Sequence, residues 1–498
     1  MIAAAPETSL PTADIASQQE DSLSIEQTRS ARERALIDAS SRGPVLTFFA
    51  AAVAWLGVVT FLGLVAATKL HYPDFLAEIP FLTYGRVWPA YQAAFIYGWG
   101  SLTGMGVGIW LMARLCRVPI RYPSVLILGA AFWNVGLAVG ITGILAGANT
   151  GIEGMEISRG PAAIMFVGYV LVGIWGTLLY RFRNDTPSYI SVWYLLSAFM
   201  WFAWLFATAH ILIGIPQLRG VMTPVVGSWY VHSLSLYWFT SLGLAAAYYF
   251  IPKVINRPIY GYNLASIGFW TFTLFAGLTA LVRLSGGPIP AWLVTVSIAA
   301  NILLLVPMVT VGLNFLLTMR GHYHMVYHSP TIRFTFFGAI AFIVASVVGL
   351  ATSLRSVDRI LHFSQFQIAQ QHLVLYAFYS MVMFGAIYYI TPRLVGCEWL
   401  SASMIKIHFW GSAYGGGMMI SLLAFAGLAG GLSFVDPEAT WPQVVQISQM
   451  YLPGRTVGFA LMSVAHLVFG LHFLLMLLRI GQPAGQPTLF APIGKELH

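Results

Sequence analysis

A chain of 498 residues could hold several soluble domains, but 58% hydrophobic and only 8% charged residues exclude that arrangement, because soluble proteins carry about 25% charged residues. With a mean hydropathy of +0.76, lipid is the solvent this composition requires. The net charge of +8 does not mark a nucleic-acid binder, since Lys and Arg are scattered in ones and twos, and two Cys far apart exclude a disulfide framework.

Residues 1–43 are polar, with Ser, Gln and alternating charges, and hold no apolar stretch of the kind a cleavable signal needs. A disordered cytoplasmic tail, with at most a short helix near 25–39, is the expectation. From residue 44 the chain falls into apolar runs of about 20 residues, the length that crosses roughly 30 Å of hydrocarbon. They lie at about 44–68, 90–115, 124–146, 161–181, 188–215, 225–252, 263–284, 290–319, 333–354, 366–391, 404–431 and 456–480. Breakers such as Arg121-Tyr122-Pro123 and Pro216-Gln217 separate them. Backbone groups in lipid must be satisfied within the segment, so these are helices. The expected fold is all-α: one twelve-helix transmembrane domain over 44–480, followed by a cytoplasmic tail over 481–498.

With the N-terminus inside, seventeen of the 25 Lys and Arg fall on the cytoplasmic side and eight outside. That bias predicts cytoplasmic termini. No Asp or Glu falls within the twelve runs, which argues against a proton-coupled transporter. Histidine is present instead, as His210, His232, His372, His408, His466 and His472. A single buried His is more often a hydrogen-bonded packing residue than a ligand. Two of these, however, repeat one design. His232 precedes Tyr248-Tyr249-Phe250-Ile251-Pro252-Lys253, and His372 precedes Tyr388-Tyr389-Ile390-Thr391-Pro392-Arg393, each at the same offset. Paired His on facing helices is how a helical bundle holds haem or metal.

These motifs carry a resemblance. Trp229-Tyr230-Val231-His232 with the segment through Tyr260 resembles the sixth helix of cbb-type cytochrome c oxidases, in the haem–copper oxidase superfamily. Phe384-Gly385-Ala386-Ile387-Tyr388-Tyr389-Ile390-Thr391-Pro392-Arg393 is similar to their tenth, and Gly85-Arg86-Val87-Trp88-Pro89 to the entry of their second. Thr150-Gly151-Ile152-Glu153 resembles the loop after the third, and His408-Phe409-Trp410 the start of the eleventh. The resemblance implies a subunit I-like bundle in a respiratory electron-transfer complex, beside membrane-anchored c-type cytochromes.

The departures bear on chemistry. The family holds copper with one His on the sixth helix and two adjacent His on the seventh. Here His232 answers the first, but Thr279 and Ala280 stand in place of the pair, and no His-His dipeptide occurs anywhere. The family's catalytic Tyr falls at Thr273. The family's tenth helix carries His-x-His, where this chain reads Gln370-Gln371-His372, so the oxygen-reactive haem loses its axial ligand to Gln370. The second helix offers Tyr91 instead of the other low-spin ligand. Copper is therefore not expected, because one imidazole and a Thr hydroxyl serve Cu(II) poorly. The resemblance leaves room for one b-type haem between His372 and Tyr91, with Arg355 and Arg359 near its propionates. It also places Glu153, with Glu156, where the family bridges a calcium ion. The alternatives are an oxidase or nitric oxide reductase with a rearranged site, or a transporter on the same bundle. The His322-Tyr323-His324 to His328 loop reads as a solvated basic loop rather than a metal site.

Overall fold

The computed structural model describes residues 12–184 and 188–481, with side chains from residue 31 onward. Residues 1–11, and the expected tail from 482 to 498, lie outside the described residues. Twelve long helices follow one another: α1 (Thr12–Lys69), α2 (84–116), α3 (Pro123–Ala146), α4 (Arg159–Arg181), α5 (Ile190–Gly214), α6 (Met222–Val254), α7 (Tyr262–Leu284), α8 (Ala291–Met319), α9 (Pro330–Ser353), α10 (Phe366–Val395), α11 (Ala402–Val435) and α12 (Leu452–Leu477). Eleven are apolar enough along 18 residues to cross a membrane. The twelfth, α2, is diluted by Gly, Ser, Thr, Tyr and Trp. It can be, because almost none of it meets lipid: from Ser101 to Ala113 every residue is buried.

The helix ends follow local chemistry. α3 starts with Pro123 at its first position and stops at Gly147, whose φ of 105° only glycine adopts easily. Ser329 caps α9 by accepting from Ile332 N, with Pro330 next, and Ser401 caps α11 through Met404 N. α8 is interrupted at Leu304, ahead of Pro307, which cannot donate to the turn before it.

Residues 12–43, expected as a tail, continue α1 without a break through Pro44. The reason is a set of partners the sequence does not display together. Ile37 and Ser41 are buried, Asp38 accepts from Trp110 Nε1 at 3.1 Å, and Glu33 forms a two-pronged pair with Arg117 at 2.7 and 2.9 Å.

Three helices form the inside of the bundle. The most apolar windows of α6 and α10 are 89% and 83% buried, against 50% or less for the other nine spans measured, and α2 joins them. Each inner helix widens into a π-type stretch shortly beyond a residue of interest: Ala94–Gly100 after Tyr91, Leu234–Thr240 after His232, and Leu373–Ser380 after His372. A widened turn leaves carbonyls out of the regular ladder, and a hydroxyl five residues on collects one in each case. Ser101 Oγ donates to Ile96 O, Thr240 Oγ1 to Ser235 O, and Ser380 Oγ to Leu375 O. The same serines then tie the helices together, as Trp238 Nε1 donates to Ser101 Oγ and Trp99 Nε1 to Ser380 Oγ. Such bulges gather at functional sites.

In lipid, helices gain little from hydrophobic association and pack instead through small residues. α11 and α12 meet at a reciprocal glycine contact: a Cβ on Gly415 would stand 2.7 Å from Gly458 O, and one on Gly458 2.9 Å from Gly415 O. Gly415→Val should therefore push α11 from α12 and destabilise the protein by about 1–3 kcal/mol. Gly417→Val, which meets nothing within 4 Å, should not. Thermal unfolding of the two variants in detergent compares them directly.

Candidate functional site

α6 brings His232 against the end of α7. That helix loses its α-helical turns at Ala276, and the chain curls so that Thr279 Oγ1 donates to Ala276 O at 2.7 Å. Its one hydroxyl proton is thereby used, so the 2.7 Å contact with His232 Nε2 requires the imidazole to donate. His232 is thus the Nε2–H tautomer. The nitrogen facing Thr279 carries a proton rather than a lone pair for a metal. Ala280 beside it is buried and apolar.

The partner helix α10 presents two faces, because residues two apart are rotated about 200° around a helix. Gln370 lines the same cavity as His232, a space of about 200 Å³, with its Oε1 at 3.3 Å from Thr352 Oγ1. His372 looks the other way, toward α2. Its Nδ1 bonds Ile368 O at 2.8 Å, so Nδ1 donates and Nε2 is the acceptor. That acceptor is taken by Tyr91 O–H at 3.0 Å. The two rings are stacked 13° from parallel, and Tyr91 is held from behind by Phe459, packed against Gly63. Further along the α1–α10–α11–α12 face, His466 lies between Tyr376 OH at 2.9 Å and Thr60 Oγ1 at 3.2 Å, and His408 Nδ1 meets Tyr388 OH at 2.9 Å.

The end of the bundle where α2 and α10 begin carries an open vestibule floored by the loop between α3 and α4. Glu153 there accepts from Gln371 Nε2 at 2.6 Å and pairs with Arg283 at 3.3 Å. Glu156, three residues on, is buried. Its Oε1 accepts from Gly154 N, while Oε2 has no partner among the described residues. Burial lifts its carboxyl to about 7.

The fold is that of a multi-pass helical membrane subunit, and the chain belongs to a named family. The cytochrome c and quinol oxidase polypeptide I family matches residues 43–461. Relatives include a cytochrome c oxidase subunit 1 homolog from Agrobacterium tumefaciens, 28% identical over 76% of this chain and 72% of that protein. The cbb3-type cytochrome c oxidase subunit CcoN1 of Stutzerimonas stutzeri is 24% identical over 76% of this chain and 82% of its own. A solved heme-copper terminal oxidase dimer shares the fold with a TM-score of 0.68 at 13% identity, over 92% of this chain and 86% of that one.

The family is haem-carrying, and the residues present can be tested against that cofactor. Two metal–ligand bonds of about 2 Å would set Tyr91 Oη and His372 Nε2 about 4 Å apart with a porphyrin between them. At 3.0 Å and hydrogen-bonded to each other, they do not fit an iron. On the opposite face of α10, Gln370 offers an amide where an axial imidazole is needed. Copper fits no better: among the described residues no group of three or more His, Cys, Asp and Glu converges, and His232 turns an N–H toward Thr279. Glu153 already has a cationic partner in Arg283, whereas calcium would want six to eight oxygens.

Arg355 and Arg359, which the resemblance offered as partners for haem propionates or as ordinary loop charges, lie at the surface. Both are exposed, Arg355 donating to Thr295 Oγ1 at 2.7 Å. They sit on a short helix, Arg355–Leu361, that continues from α9. The buried arginine near Tyr91 is Arg455 on α12, whose Nε and Nη1 have no partner among the described residues. Sequence reading also passed over the π stretches, although Trp99-Gly100-Ser101, Trp238-Phe239-Thr240 and Phe378-Tyr379-Ser380 are a visible aromatic–x–hydroxyl repeat.

Glu156 yields a pH prediction. Its native carboxyl keeps a proton that the unfolded chain releases at about 4.5, so stability falls as pH rises from about 4.5 to about 7 and is then level. Glu156→Gln removes the charge and keeps an acceptor for Gly154 N. It should match the wild type near pH 5 and exceed it at pH 8 by on the order of 3 kcal/mol. Unfolding midpoints at the two pH values test this, and an advantage independent of pH would contradict the carboxyl's assignment.

Proposed function

We propose that this chain is the subunit I-like core of a respiratory electron-transfer complex in which the oxygen-reducing centre has been given up, and that it serves as a membrane scaffold for partner subunits. One observation carries the reading: His232, the remaining family copper ligand, donates Nε2–H to Thr279, the residue standing where an imidazole of the pair would be. The site has closed on itself with a hydrogen bond. The Tyr91–His372 bond supports scaffold over single-haem relay, because the one retained haem-ligating His has its acceptor nitrogen occupied.

The partners in this reading are membrane-anchored c-type cytochromes, docking at the vestibule around Glu153 and Gln371. The family's cytochrome c oxidase names support that choice. The orientation proposed has both termini in the cytoplasm of a bacterial-type inner membrane, supported by the excess of Lys and Arg at the end of the bundle where α1 begins. A second reading, an oxidase or nitric oxide reductase with a rearranged site, draws on the cavity kept between His232 and Gln370.

Metal analysis and carbon monoxide difference spectra of the purified complex separate the two. The scaffold reading expects no copper and no carbon monoxide shift. About one copper per chain, lost in His232→Ala, would falsify it. Native mass spectrometry should find c-type cytochrome subunits bound to the chain, and a stable lone monomer would count against the partner assignment.

A further inference from the structure

The cavity between α6 and α10, closed on its other sides by α7, α8 and α9, has a mainly apolar wall. The hydroxyls along it are turned back onto their own helices: Ser235 donates to Val231 O, Ser346 to Phe342 O, and Ser353 to Leu350 O. The charges at its mouth are answered as well, Arg283 by Glu153 and Asp358 by His362 at 2.9 Å. Polar atoms on α6, α8 and α10 are left over. His232 Nδ1 has no partner among the described residues, and because Nε2 holds the proton, Nδ1 is a bare lone pair. On α10 Gln370 Nε2 is an N–H donor without a partner among the described residues, its Oε1 lying 3.3 Å from Thr352 Oγ1, and the Gln367 amide and Asn301 Oδ1 on the same lining have none either.

Unpaired acceptors and donors in a mainly apolar chamber select for a particular chemistry. A charged ligand would be buried without a counter-ion, which is costly. A pure hydrocarbon would leave these polar atoms orphaned. A hydroxyl answers both, since it donates one hydrogen bond and accepts others. Leu305 lines the chamber and is also 41% exposed on the outside of the bundle, beside the interruption in α8. Entry from the bilayer is therefore open to a lipid-soluble molecule.

We propose that this chamber binds a neutral lipophilic phenol, its O–H donated to His232 Nδ1 and its oxygen accepting from Gln370 Nε2. The family's own cofactor does not fit here, for want of an imidazole at Gln370, and that mismatch is what leaves the space to another ligand. The proposal rests on the reading that no haem occupies this chamber.

The test uses the full chain in lipid nanodiscs, with 4-tert-butylphenol as probe and tert-butylbenzene, the same body without the hydroxyl, as reference. Saturable binding is expected, with the phenol preferred about three- to tenfold over the hydrocarbon. His232→Phe and Gln370→Leu, made separately so that one misfolding variant does not decide the matter, should each reduce that preference. Partition into lipid cancels, because each variant is compared with the wild type in the same discs. Haem-free protein that does not prefer the phenol, or a preference that survives both substitutions, overturns the ligand assignment alone. A positive pyridine haemochrome with carbon monoxide binding overturns the reading beneath it instead.

Discussion

Inside a bundle that lipid surrounds, a polar side chain finds its hydrogen bonds on its own backbone or on a neighbouring helix, or goes without. The imidazoles here are placed by that constraint. His232 on α6 donates to Thr279 at the end of α7, His372 on α10 accepts from Tyr91 on α2, and His408 on α11 meets Tyr388 on α10. His466 on α12 joins α10 and α1 at once, through Tyr376 and Thr60, and His472 accepts from the backbone N of Ser401 before α11. Five of the six intramembrane histidines therefore act as cross-ties between separate segments. His210 alone turns back on its own helix, to Phe206 O.

This network connects the fold to the chemistry. A ligating His needs a free nitrogen with its lone pair aimed at the metal, the other nitrogen being fixed by a second bond. His372 keeps half of that arrangement, with Nδ1–H anchored on Ile368 O. Tyr91 O–H then takes the place in front of Nε2 where iron would sit. At His232 the exchange is more thorough, because Thr279 fixes the proton on the nitrogen that faces it. In each case a neutral hydroxyl meets the imidazole without any change in the helix that carries it. The three π stretches with their Trp–Ser ties lie along the same inner helices.

The two sides of α10 have fared differently. On the α2 side, Tyr91 and His372 border a cavity of only about 40 Å³, and Phe459, Tyr376 and the histidines of α11 and α12 occupy the rest with aromatic and polar contacts. On the α6 side lies a chamber of about 200 Å³ with unpartnered polar atoms in its lining. A filled compartment adds rigidity to the inner trio, whereas a retained cavity in a well-packed bundle is costly unless something occupies it.

Much of this was legible in the sequence because it is local. The twelve spans, the breakers between them and the shared register of His232 and His372 follow from composition and spacing along one chain, while the reading of Thr279-Ala280 in place of a His pair is what the family resemblance implies. The opposite facing of Gln370 and His372 needs only the helical period. What the tertiary structure decided was every relation between helices. It brought Tyr91 to 3.0 Å from His372 instead of leaving room for an iron, and it gave Thr279 a carbonyl that fixes the His232 tautomer. It moved the nearby buried arginine from Arg355 and Arg359 to Arg455, on a helix about a hundred residues later. It also carried α1 back past the expected start of the first span, where Ile37 is buried and Asp38 and Glu33 meet partners on α2 and just beyond it. Periodicity states which face a residue occupies, but not how closely the next helix approaches it. At these sites a difference of about 1 Å separates a hydrogen bond from a metal site.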